Sequence, residues 1–380
     1  MIPYSTQEIN KNDIKAVVRV LQSKWLTQGP TVVSFENAVA KKVGAKYAVA
    51  FNSGTAALHG AYYAAGVVAD DEVIVPALTF AATSNAVLYQ GATPVFADSN
   101  LLDGNMSVVE VTKKITKKTK VVVVVDYAGR PADLDLFCKL AKKNKLTLIE
   151  DAAQALGAEY DGKLVGTQAD MTMFSFHPVK SITTGEGGII VTNNLYFAEK
   201  MRLFRNHGIS RNKENFVRNN FGDWYQEMQE LGFNYRMTEM SAALGESQLK
   251  RLSSFIARRS KAATLYQKLL ANIPHIILPP KDQVGVKSAW HLFPVRLVHS
   301  IAHKRDDVFK KMRDLGIGVQ VHHLPVYLHL FYEKLGYKKG LCPNVEKFVA
   351  SEISIPLFPS ITIKEQKFIV DSLRSIINLI

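Results

Sequence analysis

The amino-acid sequence predicts an α/β protein, with a large, mostly parallel sheet covered by helices and then a smaller α+β domain. Three observations carry this. Short β-rich runs alternate with amphipathic helical patterns through the first two-thirds of the chain, the rhythm of βαβ units whose crossovers lay helices on a parallel sheet. The chain has 380 residues, more than one hydrophobic core usually serves. Its 47% hydrophobic and 21% charged content is that of an ordinary globular protein, not a disordered or fibrous one.

Taken in order, Tyr47 to Phe51 reads as a strand and Thr55 to Ala65 as a helix. Glu72 to Val75 is the next strand and Phe80 to Tyr89 the next helix. Strands follow at Thr93 to Phe96, Lys120 to Asp126 and Leu146 to Asp151, with a helix at Leu134 to Lys143 between the last two. Met171 to Phe176 and Gly188 to Thr192 are further strand-like runs. A long helical pattern starts near Thr238, where Met240, Ala243, Leu244, Leu249, Leu252 and Ile256 recur at mostly helical spacing. The domain change is expected within this helix, giving a large domain over 1–250 and a small C-terminal domain over 251–380. The second domain mixes helices with strands such as His291 to Val298 and Gly318 to His322.

Composition also excludes function classes. The formal charge of +13 admits an anionic partner. However, its lysines lie in small groups such as Lys113, Lys114, Lys117 and Lys118, which read as solvated surface, and no nucleic-acid-binding signature accompanies them. The N-terminus lacks a basic segment followed by an apolar core. The longest purely aliphatic run, Val121 to Val125, is too short to cross a bilayer. Cys138 and Cys342 are isolated and form neither a disulfide framework nor a metal cluster. The expectation is a cytoplasmic protein with no metal, nucleic-acid or membrane partner.

Two blocks carry the chemistry: Ile149 to Ala158 (IEDAAQALGA) and Ser175 to Gly188 (SFHPVKSITTGEGG). Asp151 ends a buried-looking strand, the edge of an open α/β sheet where ligands bind. Alone it reads equally well as a helix N-cap. Lys180 lies in a Gly/Thr-rich turn among Phe174, Phe176, Pro178, Val179 and Ile182, with no acidic residue between Asp170 and Glu186. Apolar surroundings lower a lysine's pKa and make its amine a nucleophile. The run Asn52 to Leu58 (NSGTAAL) precedes a helix. It is a bare strand-to-helix turn, or a phosphate site built from the N–H groups of Gly54 and Thr55 at the positive end of the helix.

In order and spacing these blocks resemble the pyridoxal-phosphate enzymes of the aspartate aminotransferase fold (fold type I), and more narrowly the DegT/DnrJ/StrS sugar aminotransferases. The Asp-x-x-Gln, Ser-x-x-x-x-Lys and Gly-Glu-Gly-Gly elements are all present. The resemblance implies that Lys180 carries pyridoxal 5'-phosphate as a Schiff base. Pyridoxamine phosphate is then the form that holds the amino group between half-reactions. Asp151 would pair with the pyridine nitrogen, Gln154 with the phenolic oxygen, and Ser175, Gly54 and Thr55 with the phosphate. Phe80, in the run VPALTF, would stack on the ring. Asn234, in the run GFNYRM, would reach a neighbouring subunit's cofactor phosphate, making the enzyme a homodimer with shared active sites. Arg236 reads as a loop-ordering or interface residue.

The resemblance also marks two substrate walls. One is Tyr4 with the loop Lys24, Trp25, Leu26 and Thr27; the other is Gln320, Val321, His322 and His323. As a strand, the second run would put Gln320 and His322 on one side. His323 stands where many relatives have tyrosine. The wording around Phe176 to Lys180, Val125 to Gly129 and Gly318 to His322 is similar to the family branch of pseudaminic acid biosynthesis. Its members move the amino group of glutamate to C4 of a UDP-linked 2-acetamido-2,6-dideoxy-4-keto hexose. Other readings are an aminotransferase for another nucleotide-linked keto sugar and a regulatory protein that kept the fold without catalysis. A cofactor-dependent dehydratase would carry histidine in place of Lys180. A desulfurase would need a mobile cysteine, a role for which Cys342 is a poor candidate.

Overall fold

The computed structural model describes residues 1–218 and 221–379. Its centre is a seven-stranded sheet. The strands are β1 (Tyr47–Phe51), β2 (Glu72–Pro76), β3 (Thr93–Ala97), β4 (Thr119–Val125), β5 (Thr147–Asp151), β6 (Met171–Ser175) and β7 (Gly188–Thr192). They lie in the order β1-β7-β6-β5-β4-β2-β3. Strand β7 pairs antiparallel with both neighbours; the remaining pairs are parallel. The parallel strands are apolar almost throughout because both faces are covered. Val121, Val123 and Ile149 belong to one core cluster, while Val122, Val124 and Leu148 belong to another. The fold is the predicted fold type I architecture.

The boundaries read from sequence fall within two residues of the observed ones for these strands and for the helices Gly54–Ala64, Ala82–Tyr89 and Leu134–Asn144. Phe80 lies ahead of its helix, not inside it. The long helix expected from Thr238 is two helices, Glu239–Leu249 and Leu252–Leu270. Thr238 caps the first through its hydroxyl. The break at Lys250 and Arg251 is pinned from outside, since Arg251 hydrogen-bonds Glu8 and ion-pairs with Asp13.

The C-terminal part has a three-stranded antiparallel sheet of β8 (Ile276–Ile277), β9 (Phe293–Leu297) and β10 (Glu352–Ile355). Helices Leu252–Leu270, Arg305–Asp314 and Ile363–Ile377 help enclose its core. Residues Val326 to Val349 also pack into the cluster beside β2 and β4, tying this region to the large sheet. The run Gly318 to His322 is not a strand. Its one isolated bridge is Gln320 with Ser354, next to that of Ile2 with Ile317 just ahead of it, so strict side-chain alternation does not apply. Among the described residues no helix is long and apolar enough to cross a membrane.

Candidate active site

At the carboxyl edge of the sheet, the ends of β1, β4, β5 and β6 open into a cavity of about 550 Å³. This is where ligands collect in open α/β sheets. Asp151, the last residue of β5, projects into it. Its carboxylate accepts hydrogen bonds from Thr83 Oγ1 at 2.7 Å and from the Ala153 N–H at 3.2 Å. Thr79 Oγ1 lies 2.7 Å from Thr83 Oγ1. Because the Thr83 hydroxyl donates to Asp151, Thr79 must donate to Thr83, and the chain fixes the carboxylate. Burial raises the Asp151 pKa, while Thr83, Ala153 and the charge of Lys180 oppose the rise.

Lys180 faces the same cavity. Its turn is held by Lys180 N–H donating to His177 O and by Thr183 Oγ1 donating to Phe176 O. Burial pulls its pKa down to about 8; Asp151 resists this and the Arg259 guanidinium adds to it. Arg259 is buried and donates to the carbonyls of Val179, Leu357, Trp290 and His291. It thus fixes the residue before Lys180. Gln154 uses its carbonyl oxygen to accept the Ala128 N–H at 2.7 Å. That leaves its NH₂ group as the donor for the cavity.

The phosphate-sized end of the cavity is built from Ser53, Gly54, Thr55 and Ser175. Ser53 caps the helix Gly54–Ala64, its Oγ accepting from Ala56 N–H at 3.1 Å. The first N–H groups of a helix have no acceptor inside it and favour an anion. A Cβ on Gly54 would lie 3.3 Å from Ser175 Cβ, so glycine keeps the helix end and the end of β6 this close. Phe80 stands over the cavity, 64% exposed, with its ring edge-on to His323 at 5.8 Å. The fourth side of the cavity is Tyr4, His291, His322 and His323.

A family comparison matches residues 7–374 to the DegT/DnrJ/EryC1/StrS aminotransferases. The chain belongs to this family. It is a pyridoxal-phosphate-dependent sugar aminotransferase. It is similar to the UDP-4-amino-4,6-dideoxy-N-acetyl-β-L-altrosamine transaminase of Campylobacter jejuni serotype O:23/36, with 39% identity covering 99% of this chain and 98% of that one. It is also similar to the solved Helicobacter pylori PseC, an aminotransferase involved in the biosynthesis of pseudoaminic acid. That match has a TM-score of 0.93 and 34% identity, and covers 100% of both chains. The pyridoxal-phosphate form of the Streptococcus pneumoniae sugar aminotransferase Spr1654 matches with a TM-score of 0.93 and 28% identity, over 100% of this chain and 99% of that one.

The aminotransferase's cavity fits its cofactor. A carboxylate, an amide donor, a lysine and a helix N-terminus converge on one space, which suits a pyridine nitrogen, a phenolic oxygen, an aldehyde and a phosphate. Of the residues named from sequence, Tyr4, Gly54, Thr55, Phe80, Asp151, Gln154, Ser175, Lys180, His322 and His323 line it.

The others do not. Gln320 is exposed and Val321 packs partly against the core, so pairing Gln320 with His322 on one wall is corrected. Gln320 bridges Ser354 through its backbone and is absent from the cavity lining, while His322 and His323 both face the cavity. Lys24, Trp25, Leu26, Thr27 and Asn234 lie outside the cavity of their own chain and are exposed, on two segments that meet at the Thr27–Thr238 bridge. Thr27 bridges Thr238, Leu26 O accepts from Glu239 N–H, and Asn234 bridges Asn206. Glu239 orders this loop by accepting the N–H groups of Gly29, Thr31 and Val32. Arg236 donates to Asn206 Oδ1 at 2.9 Å, a loop-ordering contact. Sequence reasoning missed Thr79, Thr83, Arg259 and His291. Nothing in the local sequence marks Thr83 or Arg259, because Asp151 and Val179, which they hold, are far away in the chain.

Proposed function

We propose that this aminotransferase moves the amino group of glutamate to C4 of a UDP-linked 2-acetamido-2,6-dideoxy-4-keto hexose, in a pseudaminic acid pathway. It would act in the cytoplasm as a homodimer, with domains over 1–250 and 251–380. The observation that carries the reading is the convergence of Asp151, Gln154, Ser175 and Lys180 on one cavity. Near-full-length relatives named as transaminases of this altrosamine product, at 36% to 39% identity, support the choice of sugar.

In this reading Ser175 Oγ and the N–H groups of Gly54 and Thr55 hold the cofactor phosphate, and Asn234 of the partner subunit completes that contact. The Gln154 NH₂ donates to the ring's phenolic oxygen. Asp151 accepts from the protonated ring nitrogen, and Phe80 covers one face of the ring. When bound, pyridoxal phosphate supplies an electron sink for the electron pair released at the amino donor's α-carbon. Lys180 Nζ anchors the cofactor and, once displaced, takes the proton from that α-carbon. In the second half-reaction it delivers a proton to C4 of the sugar. One group serves both tasks because burial leaves its amine partly neutral near pH 8. Tyr4, His322 and His323 face the sugar from their own chain, and Lys24 to Thr27 approach it from the partner.

A two-stage spectral assay tests this. Glutamate should bleach the visible band of the lysine-bound cofactor. Of a panel of UDP- and dTDP-linked 4-keto sugars, the UDP-linked 2-acetamido sugar should restore it fastest. Restoration by a dTDP sugar alone overturns the substrate assignment.

A further inference from the structure

Behind His322 lies a hydrogen-bonded chain that the transamination chemistry does not use. Strand β10 alternates its side chains, so Ile353 and Ile355 enter the C-terminal core while Glu352 and Ser354 share the opposite face. Both polar residues are buried. The backbone of Ser354 pairs with Gln320 in both directions, which brings the run 320–323 alongside. His322 Nδ1 lies 2.9 Å from Ser354 Oγ, and Ser354 Oγ lies 2.5 Å from Glu352 Oε1. Glu352 Oε2 accepts the His322 backbone N–H at 2.9 Å. The Tyr127 hydroxyl donates to His322 O at 2.7 Å. Among the described residues, nothing hydrogen-bonds His322 Nε2, and His322 lines the cavity.

We propose that Glu352 and Ser354 are positioning residues that set the tautomer of His322, and so decide whether its Nε2 offers the substrate a lone pair or a proton. The proposal rests on the reading of this cavity as the aminotransferase site. The direction follows from counting hydrogens. With Glu352 ionised, Ser354 donates to Oε1 and must accept from His322, so Nδ1 carries the hydrogen and Nε2 is a bare acceptor. With Glu352 protonated, Oε2 is still occupied by the His322 N–H, so the proton sits on Oε1. Glu352 then donates to Ser354, Ser354 donates to Nδ1, and Nε2 carries the hydrogen. One proton at the far end reverses every bond in the chain. In one state Nε2 takes a hydrogen bond from a substrate hydroxyl, and in the other it gives one to a substrate carbonyl or carboxylate.

The surroundings let this happen near neutrality. Burial lifts Glu352 to about 8, against the pull of Ser354, His322 N–H and the charge of Arg305. Arg296 stands opposite Glu352 in the strand register, but its guanidinium lies over the Phe348 ring. Neither arginine forms an ion pair with Glu352 among the described residues. Tyr127 is the remaining titratable neighbour, and its phenol is pushed well up by burial and by Glu352 itself. Burial and the charge of Lys180 hold His322 down at about 4, so it stays neutral while Glu352 titrates.

Nitrogen NMR of ¹⁵N-histidine-labelled full-length protein reads the tautomer directly. The His322 signal is assigned by its loss in His322→Gln. Lys180 titrates in the same range, so rate profiles alone do not separate the two groups. The expected result is that Nε2 changes from protonated to bare as pH rises through about 8. In Glu352→Gln the amide donates to Ser354 at every pH, so Nε2 should stay protonated throughout. Ser354→Ala should abolish the response, and Ser354→Thr, which keeps the hydroxyl, should restore it. A wild-type tautomer that does not change between pH 6 and pH 10, or an unaltered response in Ser354→Ala, overturns the relay. These readings need no sugar, so a wrong substrate assignment fails separately, in the spectral assay.

Discussion

The cavity at the sheet edge and the patch formed by Trp25, Leu26 and Asn234 were both read from sequence as parts of one site, yet they are built in opposite ways. In the cavity, Asp151 and Gln154 are buried and Lys180 is turned inward. Asp151 is hydrogen-bonded through Thr83 and Thr79, Gln154 through Ala128, and Arg259 fixes the residue before Lys180. In the patch, Trp25 and Leu26 are about half exposed, and Lys24, Thr27 and Asn234 are open to solvent. The patch backbone is nonetheless ordered, because Glu239 takes three N–H groups at the start of the helix Pro30–Val43. A tryptophan and a leucine displayed to water on such a loop fit the proposed dimer interface. One chain therefore supplies Asp151, Gln154, Ser175 and Lys180, and the proposed dimer would add Asn234 and the loop Lys24 to Thr27.

The largest expected effect is at the centre of the cavity. Lys180→Ala removes both anchor and proton carrier and should lower turnover by about 10⁴-fold, the upper range for a proton-transfer group. A single-turnover assay with glutamate checks this. Thr83→Val keeps the shape but strips Asp151 of its hydroxyl partner. A lost hydrogen bond to a charged group costs about 1.5–3 kcal/mol, so the cofactor Kd should rise roughly ten- to a hundredfold. Unchanged affinity would mean that the threonine chain does not hold the carboxylate.

Asn234→Ala should weaken cofactor binding by about tenfold, the low end for one contact to a charged group. Its sharper test is a hybrid. Mixing Lys180→Ala with Asn234→Ala subunits should regain activity, because one site per hybrid dimer recovers both residues. No recovery would assign Asn234 to its own chain. The smallest expected effect is that of Trp25→Ala, which should shift thermal stability by no more than about 0.5 kcal/mol, as for an ordinary surface position, while weakening dimerisation or raising the sugar KM. A large loss of stability would place Trp25 in the packing of its own chain.

The pH response of Lys180 belongs to the same comparison. Its pKa is lowered from 10.5 to about 8, so the neutral amine gains population as pH rises through 8, far below the range of an exposed lysine. Cofactor reconstitution should therefore speed up across pH 7 to 9 and level off above. A rate still climbing past pH 10 would mean that the amine is solvated.

What the sequence revealed follows the same division. Asp151, Gln154, Ser175 and Lys180 were legible because each lies within a short block whose strand and turn are set locally. The sheet was legible because period and punctuation agree from Tyr47 to Thr192. Three things were not. The break at Lys250 and Arg251 has no glycine or proline to announce it and is imposed by Glu8 and Asp13. The run 318–322 looks like a strand but finds only the isolated bridge of Gln320 to Ser354. Thr83, Arg259, Glu352 and Ser354 act through partners far away in the chain, and no local pattern records such distances.

The central claim is that this cavity holds pyridoxal phosphate through Lys180. Borohydride reduction of the purified holoenzyme followed by peptide mass spectrometry tests it most directly. The account predicts a reduced phosphopyridoxyl adduct on Lys180, absent from Lys180→Ala. An adduct on any other lysine, or none on a protein that still consumes glutamate, would contradict it.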